Sequence, residues 1–467
     1  MLRGHTVAQV RDAEARLAEE SGWDVLMQRA ARGLADALAD VPAGDLVLVL
    51  VGPGNNGGDA LFAAAHLLDR GVRIDLCLLD ESKAHAEGLA AARAAGARTV
   101  EAPSAQRWVV DGVFGIGARA GLDGRAAEWV DWVCRTRPHV VAVDVPSGVD
   151  VDTGTRPGVV MPADRVVTFG TRKTASFFGP LPTLVDIGLG PHLPEPAVES
   201  IQVGDGHLLA DHLGPTSGHK YSRGVLGVIA GSDEFAGAAH LCIAGAQAGP
   251  VGMIRFEGSE RVSGRVVDRA PEVVASTGQV QAWVVGPGTD DGVGRQLQLA
   301  LGDDVPVVVD ATALSHLPAR FAVPALLTPH AGELARMLEV ERQDVEADPL
   351  GHATRAAERW GATVLLKGQR TVVVRPDGRV RVNLSGTPWL GTAGSGDVLA
   401  GFAGSLLAAG LDPFDAGSLA AFLHGAAGVH ANPGGPVVAS DVAAVLPRVV
   451  ADFLAGSLVD VLREDWA

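Results

Sequence analysis

What most restricts the fold of this chain is a repeated switch between short, unbroken apolar runs and Ala/Leu-rich stretches of helix length. From Asp45 onward the runs LVLVLV, RIDLCLL, RWVVDGVF, HVVAVDV and RVVTF follow one another in this way. A half-buried strand alternates apolar with polar residues, whereas a strand covered on both faces is apolar throughout. Continuous runs with helices between them therefore imply a doubly wound, mainly parallel sheet in an α/β layer fold. Ahead of them Val7, Val10, Ala13 and Leu17, and after a Ser-Gly break Leu26, Ala30, Leu34 and Leu38, recur at helical spacing and predict two lead-in helices. A second series, VLGVIA, QAWVVG, VPVVVD, ALLT, TVLLK and TVVV, starts beyond a Pro/Gly-rich stretch between Ile187 and Ser217, and helical patterns fill the chain after Gly396. That stretch puts the boundary near residue 204 and gives two α/β domains, 1–203 and 204–467. The halves share no motif, so internal duplication is not supported.

Composition narrows the partners. With 467 residues, 47% of them hydrophobic, two or three domains with sizeable cores are expected at roughly 150 residues each. A net charge of −17, with no Lys or Arg run to offset it, repels phosphate backbones and anionic lipid, so no nucleic acid is expected. No apolar stretch reaches the ~20 residues that span a bilayer, and the N-terminus lacks the apolar core of a signal peptide, so no membrane is expected. Cys77, Cys134 and Cys242 are scattered and odd in number, which fits buried thiols in a reducing cytoplasm. The expected setting is cytoplasmic, as a homo-oligomer. Lysine stands only at Lys83, Lys173, Lys220 and Lys367; the other basic residues are arginine.

In open α/β sheets, ligands bind beyond the carboxyl ends of the strands, and the strongest motifs sit there. VGPGNNGGDA follows the strand ending at Val51. Gly52, Gly54, Gly57 and Gly58 let the backbone turn tightly and approach a ligand, and amides before a helix expected near Ala60 can hold a phosphate. A dinucleotide fits such a loop. An ordinary strand-to-helix turn would explain one or two glycines, but not Asn55, Asn56 and Asp59 among them. In DGVFGIGARAG, Asp111 ends a strand and Gly115, Gly117 and Gly121 make a second flexible loop; in VDVPSGVDVDTG, Asp144 stands at a strand end and Ser147 offers a hydroxyl. Alone, the last turn reads as structural. Together, Asn56, Asp111 and Ser147 supply the oxygen ligands that a hard cation prefers.

Through GNNGGD, DGVFGIG, VDVPSG, ADRVVTFGTRK and LVDIGL, the segment from about residue 5 to 200 resembles the NAD(P)H-hydrate epimerase family. The resemblance implies a Rossmann-like three-layer sandwich that binds a hydrated nicotinamide nucleotide. Contacts are implied at Asn55, Asn56, Gly57, Gly58 and Asp59, at Gly115, Ile116, Gly117, Ala118, Arg119, Ala120 and Gly121, and at Asp144. Potassium is implied at Asn56, Asp111 and Ser147. The C6 hydroxyl of such a hydrate sits beside a ring nitrogen, so inversion needs reversible loss of that centre's configuration and a carboxylate to move protons. Asp111 and Asp144 both remain candidates.

The second half carries GTPWLGTAGSGDVLAGFAGSLLAAG, where Gly394, Ser395 and Gly396 precede an apolar helix whose first amides form an anion hole. Asp397 is placed to accept a hydroxyl proton while those amides stabilise a transferring phosphoryl group. The structural alternative is that Asp397 merely caps the helix. Lys367 closes the run TVLLK, and lysine scarcity argues against an incidental, snorkelling side chain. His330 and Glu333 in LLTPHAGELARML, with the Gly286–Gly288 GPG turn, suit a site mouth.

Residues 204 to about 460 resemble the ATP/ADP-dependent NAD(P)H-hydrate dehydratase family of the ribokinase-like fold, through HKYSRGVLGVIAGS, GAAHL, PEVV, VVGPG, VVVDATAL, LLTPHAGE, LLKGQRT and GTAGSGDVLAG. The resemblance implies a nucleotide at Lys367, Gly368, Gln369, Arg370 and Thr371 and at Thr387, Gly391, Thr392, Ala393, Gly394, Ser395 and Gly396. It implies the hydrate at Ala238, Gly288, His330 and Asp397, and magnesium with the nucleotide. Thr312 departs from the family, which has a second Asp there, and Pro250 interrupts an Ala/Gly-rich turn.

Joined, the halves read as a bifunctional repair enzyme. One domain equilibrates the R and S forms of NADHX and NADPHX at C6; the other dehydrates the S form with ADP or ATP. The Arg-for-Lys, Ala/Gly-rich composition looks bacterial, which favours ADP. Asp397, Asp144 and Asp111 are the candidate catalytic residues. The rivals are a ribokinase-like small-molecule kinase fused to a nucleotide-binding or scaffold domain, and a binding protein that has lost its chemistry. TPHAGE weighs against the first, and the intact GNNGGD, Asp111 and Asp144 against the second.

Overall fold

The computed structural model describes residues 1–117, 119–210 and 221–459. Arg3–Val198 form one compact unit, while Met1–Leu2 group with the chain from Glu199 onward in a second. Thus the units part within the Pro/Gly-rich stretch, between Val198 and Glu199.

Up to the boundary the chain runs β1 (Leu2–His5), α1 (Val7–Ser21), α2 (Trp23–Ala37), β2 (Leu46–Val51), α3 (Asn55–Asp69), β3 (Arg73–Leu78), α4 (Ala86–Ala95), β4 (Arg98–Thr99), β5 (Trp108–Gly112), α5 (Gly124–Thr136), β6 (His139–Val143), β7 (Arg165–Phe169), β8 (Arg172–Lys173) and β9 (Thr183–Val185), and the boundary itself falls within β10 (Val198–Ser200). One sheet has the order β4-β3-β2-β5-β6-β7-β9, parallel throughout. Within β2, Val47, Val49 and Val51 pack into a core with α1 to α4, and Leu48 and Leu50 into another with α5. Both faces are covered, which is why the strand is apolar at every position. The strand order reverses between β2 and β5, so a crevice opens beyond their carboxyl ends.

The second unit continues with α6 (His207–Ala210), β11 (Val225–Ile229), α7 (Ala236–Gln247), β12 (Met253–Glu257), α8 (Glu260–Arg269), β13 (Ala282–Val285), α9 (Val293–Leu301), β14 (Val307–Val309), β15 (Ala325–Leu327), α10 (Ala331–Leu338), α11 (Arg342–Ala347), α12 (Pro349–Trp360), β16 (Thr363–Leu366), β17 (Thr371–Val374), β18 (Val380–Asn383), α13 (Ser395–Ala408), α14 (Pro413–Ala431) and α15 (Ala439–Leu454). Strands β12-β11-β13-β14-β15-β16 are parallel; β17 and β18 then join antiparallel. The antiparallel end of this mainly parallel sheet arises where Pro376-Asp377-Gly378, with Gly378 at φ 89°, closes the β17–β18 hairpin. The sequence pattern did not mark β12, an edge strand whose burial alternates and therefore gives no continuous run.

Helix α3 corrects another expectation. It begins at Asn55 rather than near Ala60, after Gly54 at φ 80°. Gly57 is consequently helical and serves close packing, since a Cβ there would lie 2.3 Å from the Gly52 carbonyl oxygen.

Helix α13 carries the second anion-hole motif, and its depth is set by a backbone crossing with α7. A Cβ on Gly401 would lie 1.9 Å from the Cys242 carbonyl oxygen, and one on Gly245 2.1 Å from that of Val398. Gly401→Ala should therefore push the helices apart and destabilise the second unit by about 1–3 kcal/mol, the usual scale of overpacking. Urea unfolding would read this as a lower midpoint for one transition, with the first unit's transition unmoved.

Candidate active sites

The first unit opens a cavity of about 1040 Å³ beyond the carboxyl ends of β2, β5 and β6. Asn55, Asn56 and Asp59 reach it from the start of α3; Gly115, Ile116, Gly117, Arg119 and Gly121 follow β5; and Asp144 follows β6. Three expected contact residues do not line it: Gly57 and Gly58, which are buried in α3, and the half-buried Ala120. Ala118 lies outside the described residues.

Asp111 and Ser147 sit together beneath this wall. The Ser147 hydroxyl donates to Asp111 Oδ1 at 2.7 Å and its amide to Oδ2 at 2.9 Å, while Val113 N donates to Oδ1 at 3.3 Å. Phe114 N donates in turn to the Ser147 hydroxyl. Burial raises the Asp111 pKa, against the pull of these hydrogen bonds. Among the described residues no cationic side chain pairs with this buried carboxyl group. Asn56 stands beside Gly115, and its buried Nδ2 has no hydrogen-bond partner among the described residues. Because the amide's O and N are assigned from their partners, a flip would offer Oδ1 to the same spot. The Asp111 carboxylate, the Ser147 hydroxyl and the Asn56 amide thus fit the oxygen set of a bound cation. Asp144 lines the cavity and Asp111 does not, so the two carboxylates have different surroundings.

Asp144 has φ 69°, a left-handed conformation rare outside glycine and asparagine, and it accepts a hydrogen bond from Thr168 Oγ1 at 2.9 Å. Its Oδ1 is also 2.5 Å from the ammonium of Lys173, which is 1% exposed and donates further to Thr168 Oγ1 and Phe169 O at 3.0 Å. The register of β1 with β8 places His5 opposite Lys173. Two more carboxyl groups face this pair. Burial first, and then Asp144 and Glu14, push Asp59 well above the ordinary carboxylate range, and burial likewise raises Glu14. The candidate list omitted Lys173 and Glu14. Lys173 carried a signal, being one of four lysines and lying in the TFGTRK run; Glu14 carried none.

In the second unit, Lys367 Nζ donates to Asp310 Oδ1 at 2.8 Å and lies 3.9 Å from Glu333 Oε2. Burial disfavours its charge, but Asp310 and Glu333 outweigh burial and raise its pKa. A Cβ on Gly396 would sit 3.3 Å from that Nζ, so the lysine is aimed at the start of α13. Asp397 is not the helix cap: Gly394, at φ 84°, holds that position, with no side-chain cap bond. Burial, helped by Asp310 and opposed by Lys367, raises the Asp397 pKa to about 7. The 367–371 segment shares this end of the sheet with 387–396, because Thr371 pairs with Asn383 just before Thr387. Arg370 donates to the Leu384 carbonyl, and Gly368 and Gln369 are exposed. Thr387 Oγ1 accepts a hydrogen bond from Trp389 N, in the turn that leads to Gly391, Thr392 and Ala393. Ser395 Oγ meets Nε2 of His424, whose pKa burial lowers to about 4.

Gly288 and Ala238 are in contact: a Cβ on Gly288 would lie 2.3 Å from that of Ala238. His330 caps α10, Nδ1 accepting from Gly332 N and Glu333 N, while Nε2 faces Glu333. Thr312 donates to the Thr289 carbonyl and brings no carboxylate of its own next to Asp310. Asp310, absent from the candidate list, uses Oδ1 for both Lys367 and Thr328, leaving Oδ2 without a hydrogen bond among the described residues. No cluster of three His, Cys, Asp or Glu suited to a metal occurs among them. A magnesium ion would therefore rest mainly on nucleotide phosphates, with the Asp310 Oδ2 as protein ligand.

Comparison with known proteins gives a family match in each half: NAD(P)H-hydrate dehydratase over residues 226–446, and YjeF-related protein N-terminus over residues 23–175. A bifunctional NAD(P)H-hydrate repair enzyme of Mycobacterium leprae is 42% identical over 462 residues, covering 93% of this chain and 96% of its own. One from Mycobacterium tuberculosis H37Rv is 41% identical, with 88% and 90% covered. Among solved structures, the ADP/ATP-dependent NAD(P)H-hydrate dehydratase of Bacillus subtilis, co-crystallized with ATP/Mg2+, is 29% identical with a TM-score of 0.49, covering 51% of this chain and 93% of that one.

The buried pair in the first cavity makes a thermodynamic prediction. Lys173→Met should strand Asp144 without its partner and cost about 3–5 kcal/mol. Adding Asp144→Asn should recover much of that loss, because the uncompensated charge goes too. Urea unfolding of the two single variants and the double variant checks this; purely additive losses would show that the pair is not coupled.

Proposed function

We propose that this chain, which belongs to the family of bifunctional NAD(P)H-hydrate repair enzymes, returns hydrated nicotinamide nucleotides to NADH and NADPH in two steps. Residues 1–203 exchange the R and S epimers at C6, and residues 204–467 dehydrate the S epimer at the expense of ADP or ATP. The observation that carries this reading is likeness to the M. leprae enzyme along 93% of the chain. A separate lysine–carboxylate site in each half supports it. A small-molecule kinase would leave the first site without a role.

In the first site Asp144 takes the proton of the C6 hydroxyl. The C6–N1 bond then breaks with its electron pair going to N1, which is conjugated to the carboxamide, and C6 becomes a flat aldehyde carbon. Asp59, whose raised pKa favours the neutral acid, delivers a proton to N1. Rotation and reclosure on the other face give the second epimer. Lys173 orients Asp144 throughout. Asn56, Asp111 and Ser147 would hold potassium, which supplies a fixed positive charge beside the substrate.

In the second site Asp397 takes the C6 hydroxyl proton as the oxygen attacks the terminal phosphoryl group of the nucleotide. The amides of Gly394, Ser395 and Gly396, together with Lys367, stabilise the transferring charge. Phosphate then leaves C6, the N1 electron pair drives it out, and loss of a C5 proton restores the dihydronicotinamide ring. Ala238, Gly288 and His330 border the ring. Magnesium bound with the nucleotide would neutralise phosphate charge. The free thiols of Cys77, Cys134 and Cys242 support a cytoplasmic setting.

The two steps should separate by mutation. Asp397→Asn should lower dehydration about 100- to 10,000-fold, the usual value of a general base, and leave epimer exchange intact; Asp144→Asn should do the reverse. Chromatography of the two epimers over time, with the return of dihydronicotinamide absorbance, distinguishes these outcomes. Loss of both activities in a folded Asp397→Asn protein would sink the two-site reading. Since Asp397 works as the ionised base, kcat/KM for dehydration should rise with pH through about 7 and level off above. Epimer exchange should slow in potassium-free buffer, and an unchanged rate would remove the ion from the site.

A further inference from the structure

The first cavity has two chemically distinct ends. Its depth holds the buried Lys173–Asp144 pair with Asp59, whereas its mouth carries Arg11, Arg119 and Trp23, all exposed. Trp23 is 53% exposed although it lines the wall. Its place is fixed by backbone: Gly22, at φ 85°, breaks α1 from α2 and makes Trp23 the first residue of α2. A rigid indole held at a cavity mouth offers a stacking face at little entropic cost. Arg11 Nη2 lies 3.3 Å from where a Cβ on Gly117 would be, so its guanidinium rests against the glycine loop after β5. Neither Arg11 nor Arg119 has an ion-pair partner among the described residues.

The reacting ring needs only the deep end. The cavity, about 1040 Å³, lies at the top of the range for drug-sized ligands and accommodates much more than one ring. We infer that Trp23 and Arg11 form the subsite for the non-reacting half of the dinucleotide, the indole stacking on adenine and the guanidinium holding a phosphate. This rests on the epimerase reading and assigns a role to two residues of the lead-in helices that the reading leaves unused. Such contacts bind ground state and transition state alike, so they act on KM and spare kcat.

The experiment measures kcat and KM for epimer exchange with hydrated NADH, hydrated NADPH and the hydrated reduced nicotinamide mononucleotide, which lacks adenosine. Trp23→Ala should raise KM for both dinucleotides about tenfold, the scale of one base–aromatic stack, with kcat within about twofold. Trp23→Phe should restore most of it, and the mononucleotide should show no change. Arg11→Gln should raise KM about tenfold or more; a rise confined to hydrated NADPH assigns the 2′-phosphate, and an equal rise for both assigns the pyrophosphate. Unchanged KM in both variants, or an equal Trp23→Ala loss with the mononucleotide, overturns the subsite while wild-type exchange upholds the function. No exchange in the unsubstituted protein overturns both.

Discussion

An ammonium group taken out of water loses hydration worth many kcal/mol and stays charged only if carboxylates and carbonyls replace that water. Among the described residues Lys173, 1% exposed, meets that constraint in full, and Lys367, 21% exposed, meets it in part. Lys173 is enclosed by Asp144, Thr168 and the Phe169 carbonyl, and Lys367 by Asp310 with Glu333 nearby. Each pair joins elements far apart in sequence, 29 residues in the first case and 57 in the second. The strands that bring them together are therefore specified partly by charge. An arginine would reach further and prefer a flat, bidentate carboxylate. A lysine point charge suits a tight pocket at a strand end.

Both pairs stand at the carboxyl ends of parallel strands, where strand ends from different βα units converge. Local strain marks both places. Asp144 follows β6 at φ 69°, and Ala311, directly after Asp310, has φ 49°. Such conformations cost energy and persist only where surrounding contacts hold them. For Asp144 those contacts are Thr168 and Lys173; for Ala311 they include Asp310 before it and the Thr312–Thr289 hydrogen bond after it. The sheets supply rigidity, and the strained residues spend some of it to aim a side chain.

Much of this was legible in the sequence, and what was not has identifiable physical causes. The strands β2, β3, β5, β6 and β7 declared themselves because both of their faces are buried, so that inside the runs only Asp75, Asp111 and Thr168 interrupt the apolar residues. Strand β12 lies at an edge and β18 in a hairpin, so neither gives that signal. The start of α13 was readable because glycines ahead of an apolar run mark a helix N-terminus. The partners Lys173, Glu14 and Asp310 were harder, since sequence shows which residues end a strand but not which side chains meet from 29 or 57 positions away. The start of α3 was missed because four glycines near a strand end look like a loop, and only the packing of Gly57 against the Gly52 carbonyl shows that the last two, Gly57 and Gly58, are helical.

The two sites use the same components in opposite ways. In the first unit Lys173 sits directly on Asp144, the carboxylate that faces the cavity, and the neighbouring carboxyl groups Asp59 and Glu14 are pushed toward the neutral form. A charged carboxylate beside neutral acids can give and take protons without net change, which suits an exchange that must run both ways. In the second unit Lys367 is committed to Asp310, and Asp397 is left with burial and a like charge that raise its pKa to about 7. A base so placed holds a proton more firmly once it has taken it, which suits a step made one-way by phosphoryl transfer. On the proposed reading, the carboxylate that the lysine pairs with is what distinguishes the reversible site from the committed one.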